Sequence, residues 1–445
     1  MIQKILLTPF QKFIKIEGFS GILLLLSTII ALIWANSAFG DSYAALWEYK
    51  IGISSENFEL KKPLILWIND GLMAIFFFLI GLEIKREVLI GELNSMKKLA
   101  FPLFGALGGV IAPVALFMLL NQNPATFKGW GIPMATDIAF SLAVLNSLGK
   151  RVPLSLKIFL IAFAIVDDIE AVLVIAVFYS GAIKTTLLLV ALGLLGVLYF
   201  LSYRGYYSKF VLFFVGIIVW LLFLKSGVHP TVAGILLAFS VPIRQKLDTT
   251  PFIEQLDSIF KDIKNASVIR KPILSKEQIE AMDDLESWSK KFQSPLQHLE
   301  HGLHGWVAYF IIPIFALANA GVLIDSSVAI EVPLVINIIL CLVLGKGLGI
   351  PLIIFVANKL NLVQIPSDVS FTQIIGVSFI AGIGFTMAIF IASLAFASNP
   401  EYISSAKIGI LLGSLIAAII GYFILRISYK EPAIDEKEST IIAND

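Results

Sequence analysis

Residues 154–180 read LSLKIFLIAFAIVDDIEAVLVIAVFYS, an apolar run with two adjacent acids, Asp167 and Asp168, near its middle. A segment of this kind is typical of a transmembrane helix, which needs about 20 mostly apolar residues to cross the hydrocarbon core of a bilayer. Asp167 follows Lys157 by ten residues, a rise of about 15 Å along a helix. The acidic pair is therefore expected near the bilayer midplane, where an ionisable side chain costs several kcal/mol and its default interpretation is functional.

The composition of the whole chain agrees with this segment. Its 445 residues are 58% hydrophobic and 15% charged, whereas soluble domains carry roughly 25% charged residues. The 33 Lys and Arg balance the 32 Asp and Glu, which excludes the basic excess of a nucleic-acid-binding protein. The single cysteine, Cys341, excludes a disulfide framework and a cysteine-based zinc site. The composition indicates a polytopic membrane protein, in contact with the lipid bilayer.

Apolar segments of sufficient length recur along the chain and predict an all-α fold of about twelve transmembrane helices. They are 17–35, 64–84, 99–120, 130–148, 154–180, 185–202, 210–224, 228–242, 303–323, 332–357, 371–398 and 404–426. With the N-terminus in the cytoplasm, most Lys and Arg fall in the inner loops, as the positive-inside rule requires. This predicts that both termini are cytoplasmic.

The longer loops divide the chain into parts. The loop 36–63 faces outward in this topology, and its alternating apolar and polar residues predict a small β-hairpin at about 44–62. The loop 243–302 faces inward and carries apolar residues at helical spacing in two places, which predicts two amphipathic helices. The predicted parts are residues 1–242 with the first eight spans, the insertion 243–302, residues 303–428 with the last four spans, and a cytoplasmic tail at 429–445.

The paired acids indicate a specific chemistry. Two neighbouring carboxylates in a low dielectric titrate as a coupled pair, because they cannot both stay charged at little cost. A cation that enters between Asp167 and Asp168 favours the ionised form and expels protons, which is the chemistry of cation–proton exchange. A neutral pair that is hydrogen-bonded only for packing is the alternative interpretation.

Two spans have interruptions in their helical pattern. Asp137 lies in GIPMATDI, residues 131–138, where a proline and small residues precede a buried acid, and AGIGFTM, residues 381–387, is broken by Gly382 and Gly384. Corresponding interrupted helices in two halves of a chain are a good indication of a transporter site. Flexible glycines in tightly packed helices are the alternative.

The positions of these interruptions predict the architecture. Each lies in the middle of three consecutive spans, 99–180 and 332–426, which predicts inverted-topology three-helix repeats whose interrupted helices cross at the midplane. Half-helix ends that face each other there carry bare dipole charges, and Asp137 and Lys346 are candidates to neutralise them.

Lys346, within GKGLG at 345–349, is too deep in its span to reach the interface easily. Glycines around it allow another helix to approach closely. Asp167 is the first choice of partner, which makes Lys346 a competitor for the cation. A purely structural counter-charge is the other interpretation.

Two other function classes use buried acids. An intramembrane aspartyl protease needs one aspartate on each of two helices, whereas Asp167 and Asp168 are adjacent on one, and no G-x-G-D or H-E-x-x-H motif occurs. A cation channel needs a filter sequence or an acidic ring, and neither is visible. Both interpretations are weaker than a transporter, and the chain is not expected to be an enzyme.

Several sequence blocks resemble the bacterial Na⁺/H⁺ antiporters of the NhaA family. They occur in the family's order over nearly the whole length: LWINDGLMA at 66–74, GLEIKRE at 81–87, ATDIAF at 135–140, KSGVH at 225–229, WVAY at 306–309, FALANAG at 315–321 and GIGFTM at 382–387. The resemblance implies exchange of cytoplasmic Na⁺ or Li⁺ for external H⁺, electrogenic, driven by the proton motive force and regulated by pH, in sodium extrusion and pH homeostasis. It also implies no cofactor, an inner-membrane location and a homodimer with the hairpin as its contact.

The resemblance also implies roles for individual residues. Asp167 and Asp168 would carry the cation, Na⁺, and the protons, with Thr136 and Asp137 beside them and Lys346 as the buried counter-charge. A cytoplasmic pH-responsive cluster would comprise Glu83, Arg86, Glu87, Glu300, His301 and His304, and His229 near the outer face would also affect the pH response.

The chain departs from the family pattern at a few positions. The loop 243–302 is much longer than usual, Gly305 and Gly347 replace common prolines, and Glu170 replaces a common glycine. Glu170 has three interpretations: a third buried acid held protonated, a partner of Lys346 that frees Asp167, or a polar residue in a gap without function.

The histidines of the insertion's end need a separate interpretation. His298, His301 and His304 spread over about 120° of a helix surface without an evident fourth ligand, so a zinc site is a weak alternative to pH sensing.

Overall fold

The computed structural model describes residues 9–55, 58–91, 96–244, 249–266, 275–323 and 330–428. The predicted cytoplasmic tail at 429–445 lies outside them. The chain divides into two compact units, of which unit 1 comprises Met1–Leu25, Met96–Ala171 and Val322–Asp445, and unit 2 comprises Leu26–Ser95 and Val172–Gly321.

The described residues of unit 1 form helices that are joined by loops and turns. Its α-helices are Met96–Leu120, Ile138–Ser147, Val332–Leu340, Lys346–Lys359, Phe371–Ala381, Phe385–Ala395 and Pro400–Ser428, with 3₁₀ helices at Pro124–Met134 and Gly149–Arg151 and a π-helical turn at Cys341–Gly345. Two further helices, Pro9–Ala35 and Leu154–Phe178, run from unit 1 into unit 2.

Small residues bring two helices of unit 1 into close contact. A Cβ atom on Gly108 would lie 2.7 Å from the carbonyl oxygen of Gly349, so a larger side chain at position 108 would push the helices Met96–Leu120 and Lys346–Lys359 apart. Such contacts are typical of helix pairs in a bilayer, where packing rather than the hydrophobic effect holds helices together. This contact positions the helix that begins with Lys346.

Unit 2 combines helices with one hairpin. Its helices are Gly40–Glu48, Leu64–Trp67, Met73–Leu89, Thr185–Tyr203, Lys209–Ser226, Pro230–Phe239, Thr249–Ala266, Lys276–Phe292, Pro295–Trp306 and Ile312–Asn319, with π-helical turns at Ile68–Leu72 and Val307–Ile311.

The predicted hairpin is present, with shifted bounds. Strands Lys50–Ser55 and Phe58–Pro63 pair antiparallel, with Ile53 opposite Leu60. The predicted start at 44 is wrong, because residues 44–48 belong to the helix Gly40–Glu48. The Tyr43 hydroxyl of this helix donates to the carbonyl of Leu317 at 2.8 Å, which ties it to the end of another helix of unit 2.

The insertion forms the two expected amphipathic helices, Thr249–Ala266 and Lys276–Phe292. The rings of Phe252 and Phe292 stack with centroids 4.0 Å apart. Ser275 caps the second helix in a capping box with Gln278, as the S-x-x-Q spacing predicts.

The predicted boundary at residue 302 is wrong. Helical structure begins at Pro295 and continues through the π-helical turn Val307–Ile311 to Asn319. Ser294 accepts a hydrogen bond from the backbone N–H of Gln297, and Pro295 occupies the first helical position. This Ser-Pro start is a strong local signal, and it outweighs the polar composition of residues 295–302.

Both units contain helices that could cross a membrane. Within the described ranges, seven helices are long and apolar enough to cross a bilayer, and two bent pairs raise that number to nine. The pairs are Phe19–Ala35 with Gly40–Glu48, bent by 112°, and Phe371–Ala381 with Phe385–Ala395, bent by 45°.

Three of the twelve predicted segments fall on helices outside this count. Ile138–Ser147 and Pro230–Phe239 have ten residues each, and Leu154–Phe178 carries three acids. The chain is therefore a mostly helical, multi-pass membrane protein, and the number twelve stays a prediction.

Candidate functional site

The first interrupted helix is broken immediately before an acid. The 3₁₀ helix Pro124–Met134 ends at Ala135, which is extended with φ −75° and ψ 144°. Asp137 is extended as well and caps the helix Ile138–Ser147, since its Oδ1 accepts the backbone N–H of Phe140 at 3.0 Å. The proline and small residues of the sequence therefore coincide with a break, as predicted.

The second interrupted helix is broken at its glycines. Phe371–Ala381 ends and Phe385–Ala395 begins around Gly382 and Gly384. A Cβ on Gly384 would lie 3.0 Å from the carbonyl oxygen of Ala135, so the two breaks approach each other backbone to backbone. A larger side chain at Gly384 would crowd this approach, whereas a Cβ on Gly382 would meet the carbonyl oxygen of Leu342.

Two carbonyl groups at the second break accept hydrogen bonds from residues of the first break. The Thr136 hydroxyl donates to Ala381 O at 2.9 Å, and the Asp137 backbone N–H donates to Ile383 O at 2.7 Å. Both contacts lie at the C-terminal end of Phe371–Ala381, which carries partial negative charge. The breaks in the two helices thus satisfy each other's backbone groups.

The Asp137 carboxylate serves two helix N-termini at once. Its Oδ1 caps Ile138–Ser147 through Phe140, and its Oδ2 accepts from the backbone N–H of Thr386 at 3.1 Å and from the Thr386 hydroxyl at 2.5 Å. Thr386 lies in the first turn of Phe385–Ala395. A single buried acid, 2% exposed, therefore faces the positive ends of both half-helices.

The second break has a further partner that the sequence did not predict. The Ser414 hydroxyl, on the helix Pro400–Ser428, accepts the backbone N–H of Phe385 at 3.2 Å. No local sequence motif marks Thr386 and Ser414 as capping residues. The Thr386 hydroxyl donates to Asp137, 249 residues away, and the Ser414 hydroxyl accepts from a backbone N–H that is 29 residues away. A threonine directly after a glycine-broken segment, in GIGFT, is the only signal that pointed toward Thr386.

Asp167 and Lys346 face each other, as the sequence predicted. Lys346 Nζ lies 3.5 Å from Asp167 Oδ2, and neither residue is more than 1% exposed. The ammonium also donates to the Thr136 hydroxyl. Thr136 thus connects the lysine to Ala381 O at the end of Phe371–Ala381, so Lys346 acts on that helix terminus through one hydroxyl.

Asp168 completes the buried acidic group. It is 6% exposed and lies close enough to Asp167, Asp137 and Lys346 to interact electrostatically with all three. The structure thus brings together Asp167, Asp168, Asp137, Thr136 and Lys346 within unit 1, around the meeting point of the two breaks.

Glu170 lies one helical turn beyond Asp167 on the same helix. It interacts electrostatically with Asp167 and Lys346, and its Oε2 is buried and accepts no hydrogen bond from the described residues. The hypothesis that Glu170 takes Lys346 away from Asp167 is wrong, because the ammonium lies against Asp167 Oδ2.

The residues of the pH-responsive cluster lie on two helices of unit 2. Arg86 pairs with Glu87 at 2.8 Å and with Glu300 at 2.6 Å, and Nδ1 of His304 lies 3.8 Å from Glu83 Oε1. These contacts connect the helices Met73–Leu89 and Pro295–Trp306 through charged side chains. The role of the cluster in pH response stays a prediction.

His298, His301 and His304 lie along the helix Pro295–Trp306. His301 is exposed and interacts electrostatically with His304. Among the described residues, no group of three or more His, Cys, Asp or Glu side chains has the geometry to hold a metal ion.

His229 caps another helix of unit 2. Its Nδ1 lies 2.7 Å from the Thr231 hydroxyl at the start of Pro230–Phe239, and its Nε2 lies 3.7 Å from Asp70 Oδ1. Asp70 also pairs with Lys62 of the hairpin at 2.9 Å. The sequence did not predict Asp70 and Lys62, although an acid inside the span 64–84 is itself an unusual residue.

The chain matches a known family over most of its length. The family model described as Na⁺/H⁺ antiporter 1 matches residues 11–425. A Na⁺/H⁺ antiporter NhaA of Oleidesulfovibrio alaskensis is 45% identical over 95% of this chain and 94% of its own, and one of Helicobacter pylori strain 26695 is 45% identical over 92% and 93%. A Na⁺/H⁺ antiporter NhaA of Koribacter versatilis is 46% identical over 95% and 92%.

One solved structure is similar at low identity. The sodium proton antiporter MjNhaP1 from Methanocaldococcus jannaschii at pH 8 aligns over 92% of each chain with a TM-score of 0.43 and 13% identity. The match to the family model and the identities to the NhaA relatives each show the family of this chain. The chain belongs to the Na⁺/H⁺ antiporter 1 family, and it is a transmembrane sodium–proton antiporter.

Proposed function

We propose that this chain exchanges cytoplasmic Na⁺ or Li⁺ for external H⁺ at Asp167 and Asp168. The observation that carries the proposal is the buried pair itself, with Lys346 Nζ 3.5 Å from Asp167 Oδ2. A buried carboxylate needs a compensating positive charge, and here a proton, the ammonium or an alkali cation supplies it. Only one of them can occupy the same oxygen at a time, so binding of Na⁺ releases the proton or displaces the lysine.

The net charge that moves in each cycle follows from the number of carboxylates that release a proton. When both carboxylates exchange their protons for one Na⁺, one net charge crosses the membrane in each cycle. The exchange is then electrogenic, and the proton motive force drives Na⁺ out of the cell. Sodium extrusion and pH homeostasis are the corresponding roles.

Thr136 and Asp137 support the site by organising the helix breaks. Thr136 holds Lys346 against the end of Phe371–Ala381, and Asp137 neutralises the ends of Ile138–Ser147 and Phe385–Ala395. Rigid half-helix ends near the cation keep its ligands in place, as in transporters with discontinuous helices.

The surrounding architecture is proposed on the same basis. Twelve spans in inverted three-helix repeats, both termini in the cytoplasm and a location in the bacterial inner membrane accommodate all twelve apolar segments, three of them on helices that are short or carry acids. The hairpin Lys50–Ser55 with Phe58–Pro63 is the proposed contact of a homodimer.

Regulation by pH is proposed for the ion pairs of unit 2. Arg86 with Glu87 and Glu300, His304 with Glu83, and His229 with Asp70 combine acids and histidines whose pairing depends on protonation. A change of pH would therefore alter contacts between the helices that carry them.

Everted membrane vesicles test the exchange directly. An imposed pH gradient, followed by fluorescence, should collapse on addition of Na⁺ or Li⁺ and persist on addition of K⁺. A channel would instead pass current without proton coupling, and a protease would do neither. Asp168→Asn should abolish the Na⁺-dependent response while the protein still inserts.

The matched control is Asp283→Asn, which makes the same chemical change at an exposed position of the insertion. It should retain the full response. Wild-type exchange rates in Asp168→Asn would contradict the assignment of this residue to the site.

A further inference from the structure

Glu170 is the acid of the helix Leu154–Phe178 to which the exchange proposed above gives no role. It follows Asp167 by three residues, and residues at this spacing are neighbours on a helix surface, with Cβ atoms about 5–6 Å apart. A glutamate side chain is long enough to reach back across one turn. Glu170 is thus within reach of a cation that is bound at Asp167.

Two oxygen atoms of these neighbouring carboxylates are buried without a donor. Asp167 Oδ1 and Glu170 Oε2 accept no hydrogen bond from any described residue. Asp167 is 1% exposed, and its other oxygen faces Lys346. A buried acceptor without a partner costs about 1–3 kcal/mol, and more when it is charged. Oxygens left in this way are candidate cation ligands.

The charges around these oxygens also favour a cation. Lys346 interacts electrostatically with Asp167, Asp168 and Glu170 together. One ammonium therefore interacts with three carboxylates. It contacts Asp167 Oδ2 and the Thr136 hydroxyl, and it makes no hydrogen bond to Asp167 Oδ1 or Glu170 Oε2.

We propose that Glu170 is a third carboxylate ligand of the transported cation and that it favours Na⁺ over Li⁺. This inference depends on the exchange proposed above. Selectivity between similar ions is set by cavity size, ligand number and ligand flexibility. Na⁺ is the larger ion and takes more oxygen ligands, so a third carboxylate on a long side chain completes the shell of Na⁺ more than that of Li⁺.

Direct cation binding to the purified full-length protein tests the proposal. Calorimetric titrations with NaCl and LiCl give dissociation constants without any transport step. Glu170→Gln keeps an oxygen but removes the charge, and Glu170→Gly removes the whole side chain. Both variants should bind Na⁺ about tenfold more weakly, which is about 1.4 kcal/mol. Their dissociation constants for Li⁺ should change by less than about threefold, or roughly 0.7 kcal/mol.

Leu173→Ala is the control for disturbance of the helix, because Leu173 lies on the same helix and is 59% exposed. It should leave both dissociation constants unchanged. If Glu170 had a purely structural role, its replacement would weaken the binding of Na⁺ and of Li⁺ equally. Equal weakening of the two dissociation constants therefore overturns the proposal. Unchanged Na⁺ binding in both Glu170 variants also overturns it.

These outcomes are separate from failure of the proposed exchange. If wild-type vesicles show no Na⁺-dependent proton movement, the exchange itself is wrong and the inference falls with it. If the wild type exchanges and the Glu170 variants bind Na⁺ and Li⁺ as the wild type does, only the role of Glu170 is wrong.

Discussion

Replacing Thr386 with valine would remove one hydroxyl from the junction of the two interrupted helices and leave the side-chain volume almost unchanged. The hydroxyl donates to Asp137 Oδ2 at 2.5 Å, and the backbone N–H of Thr386 donates to the same oxygen at 3.1 Å. The variant keeps the backbone contact and loses the side-chain contact. Its effect therefore isolates one hydrogen bond of the junction.

The free energy that this hydrogen bond contributes depends on its acceptor. Hydrogen bonds to charged groups contribute about 1.5–3 kcal/mol in water-soluble proteins. Within membranes, measured side-chain hydrogen bonds average about 0.6 kcal/mol and reach about 1.7 kcal/mol. The acceptor here is a buried carboxylate that also holds two helix N-termini, so we expect a value near the upper end of the membrane range, about 1–1.5 kcal/mol.

A double-mutant cycle measures this value. Thr386→Val, Asp137→Asn and the double variant are unfolded in mixed detergent, and the coupling free energy is taken from the three differences. Since Asp137→Asn retains an oxygen but removes the charge, the coupling reports the charge-assisted part of the bond, about half of the total, or roughly 0.5–0.8 kcal/mol.

The control cycle replaces Thr386→Val with Ser414→Ala. Ser414 accepts the neighbouring N–H of Phe385 at 3.2 Å and is not among the hydrogen-bond partners of Asp137. Its coupling to Asp137→Asn should stay within about 0.3 kcal/mol of zero, the usual error of additivity. Equal coupling in both cycles, or none in the first, would refute the idea that the Thr386 hydroxyl anchors the acid.

Four further outcomes are expected. Glu170→Gly should retain exchange but lower its half-maximal pH under saturating Na⁺, because one negative charge beside the aspartate pair is removed; an unchanged midpoint would mean that Glu170 is electrically uncoupled from the site. Deleting residues 250–292 should leave exchange intact, since these helices pack on each other, and loss of activity in an inserted, folded deletion variant would contradict this. Gly227→Ala should destabilise the protein by at least about 1 kcal/mol, because Gly227 has φ 91° and its Cβ would meet the carbonyl oxygen of Ala182. Gly193→Ala, at a helical position with nothing within 4 Å, should instead stabilise it by roughly 0.5–1 kcal/mol in the same unfolding assay.

The parts of the candidate site that the sequence predicted are those with a local signature. Pro133 removes a backbone hydrogen-bond donor and the glycines of GIGFT lower helix propensity, so both breaks were foreseeable. An ammonium inside an apolar span must find a carboxylate, and Asp167 was the obvious partner for Lys346. The hairpin and the insertion helices followed from periodicity and capping residues in the same way.

Long-range partners had no such signature. Thr386 and Asp137 are 249 residues apart, and Ser414 is one hydroxyl among many in apolar helices. The pairing of Lys62 with Asp70 likewise depends on how a hairpin strand meets a π-helical turn. The start of the helix at Pro295 is a different case, because Ser294 and Pro295 carried the signal and the polar residues that follow them obscured it.

The mutual capping of the two interrupted helices has a consequence for biosynthesis. Asp137 leaves the ribosome 249 residues before Thr386, which at about 5–20 residues per second is a delay of roughly 12–50 s. During that interval the first break has no Ile383 carbonyl and no Thr386 hydroxyl to meet it, and a bare backbone group in lipid costs several kcal/mol. Until the second half is inserted, a continuous, proline-kinked helix through residues 131–147 would leave fewer backbone groups bare than the broken form. We therefore expect the break at Asp137 to form late in the assembly of the nascent chain, once GIGFT has entered the membrane.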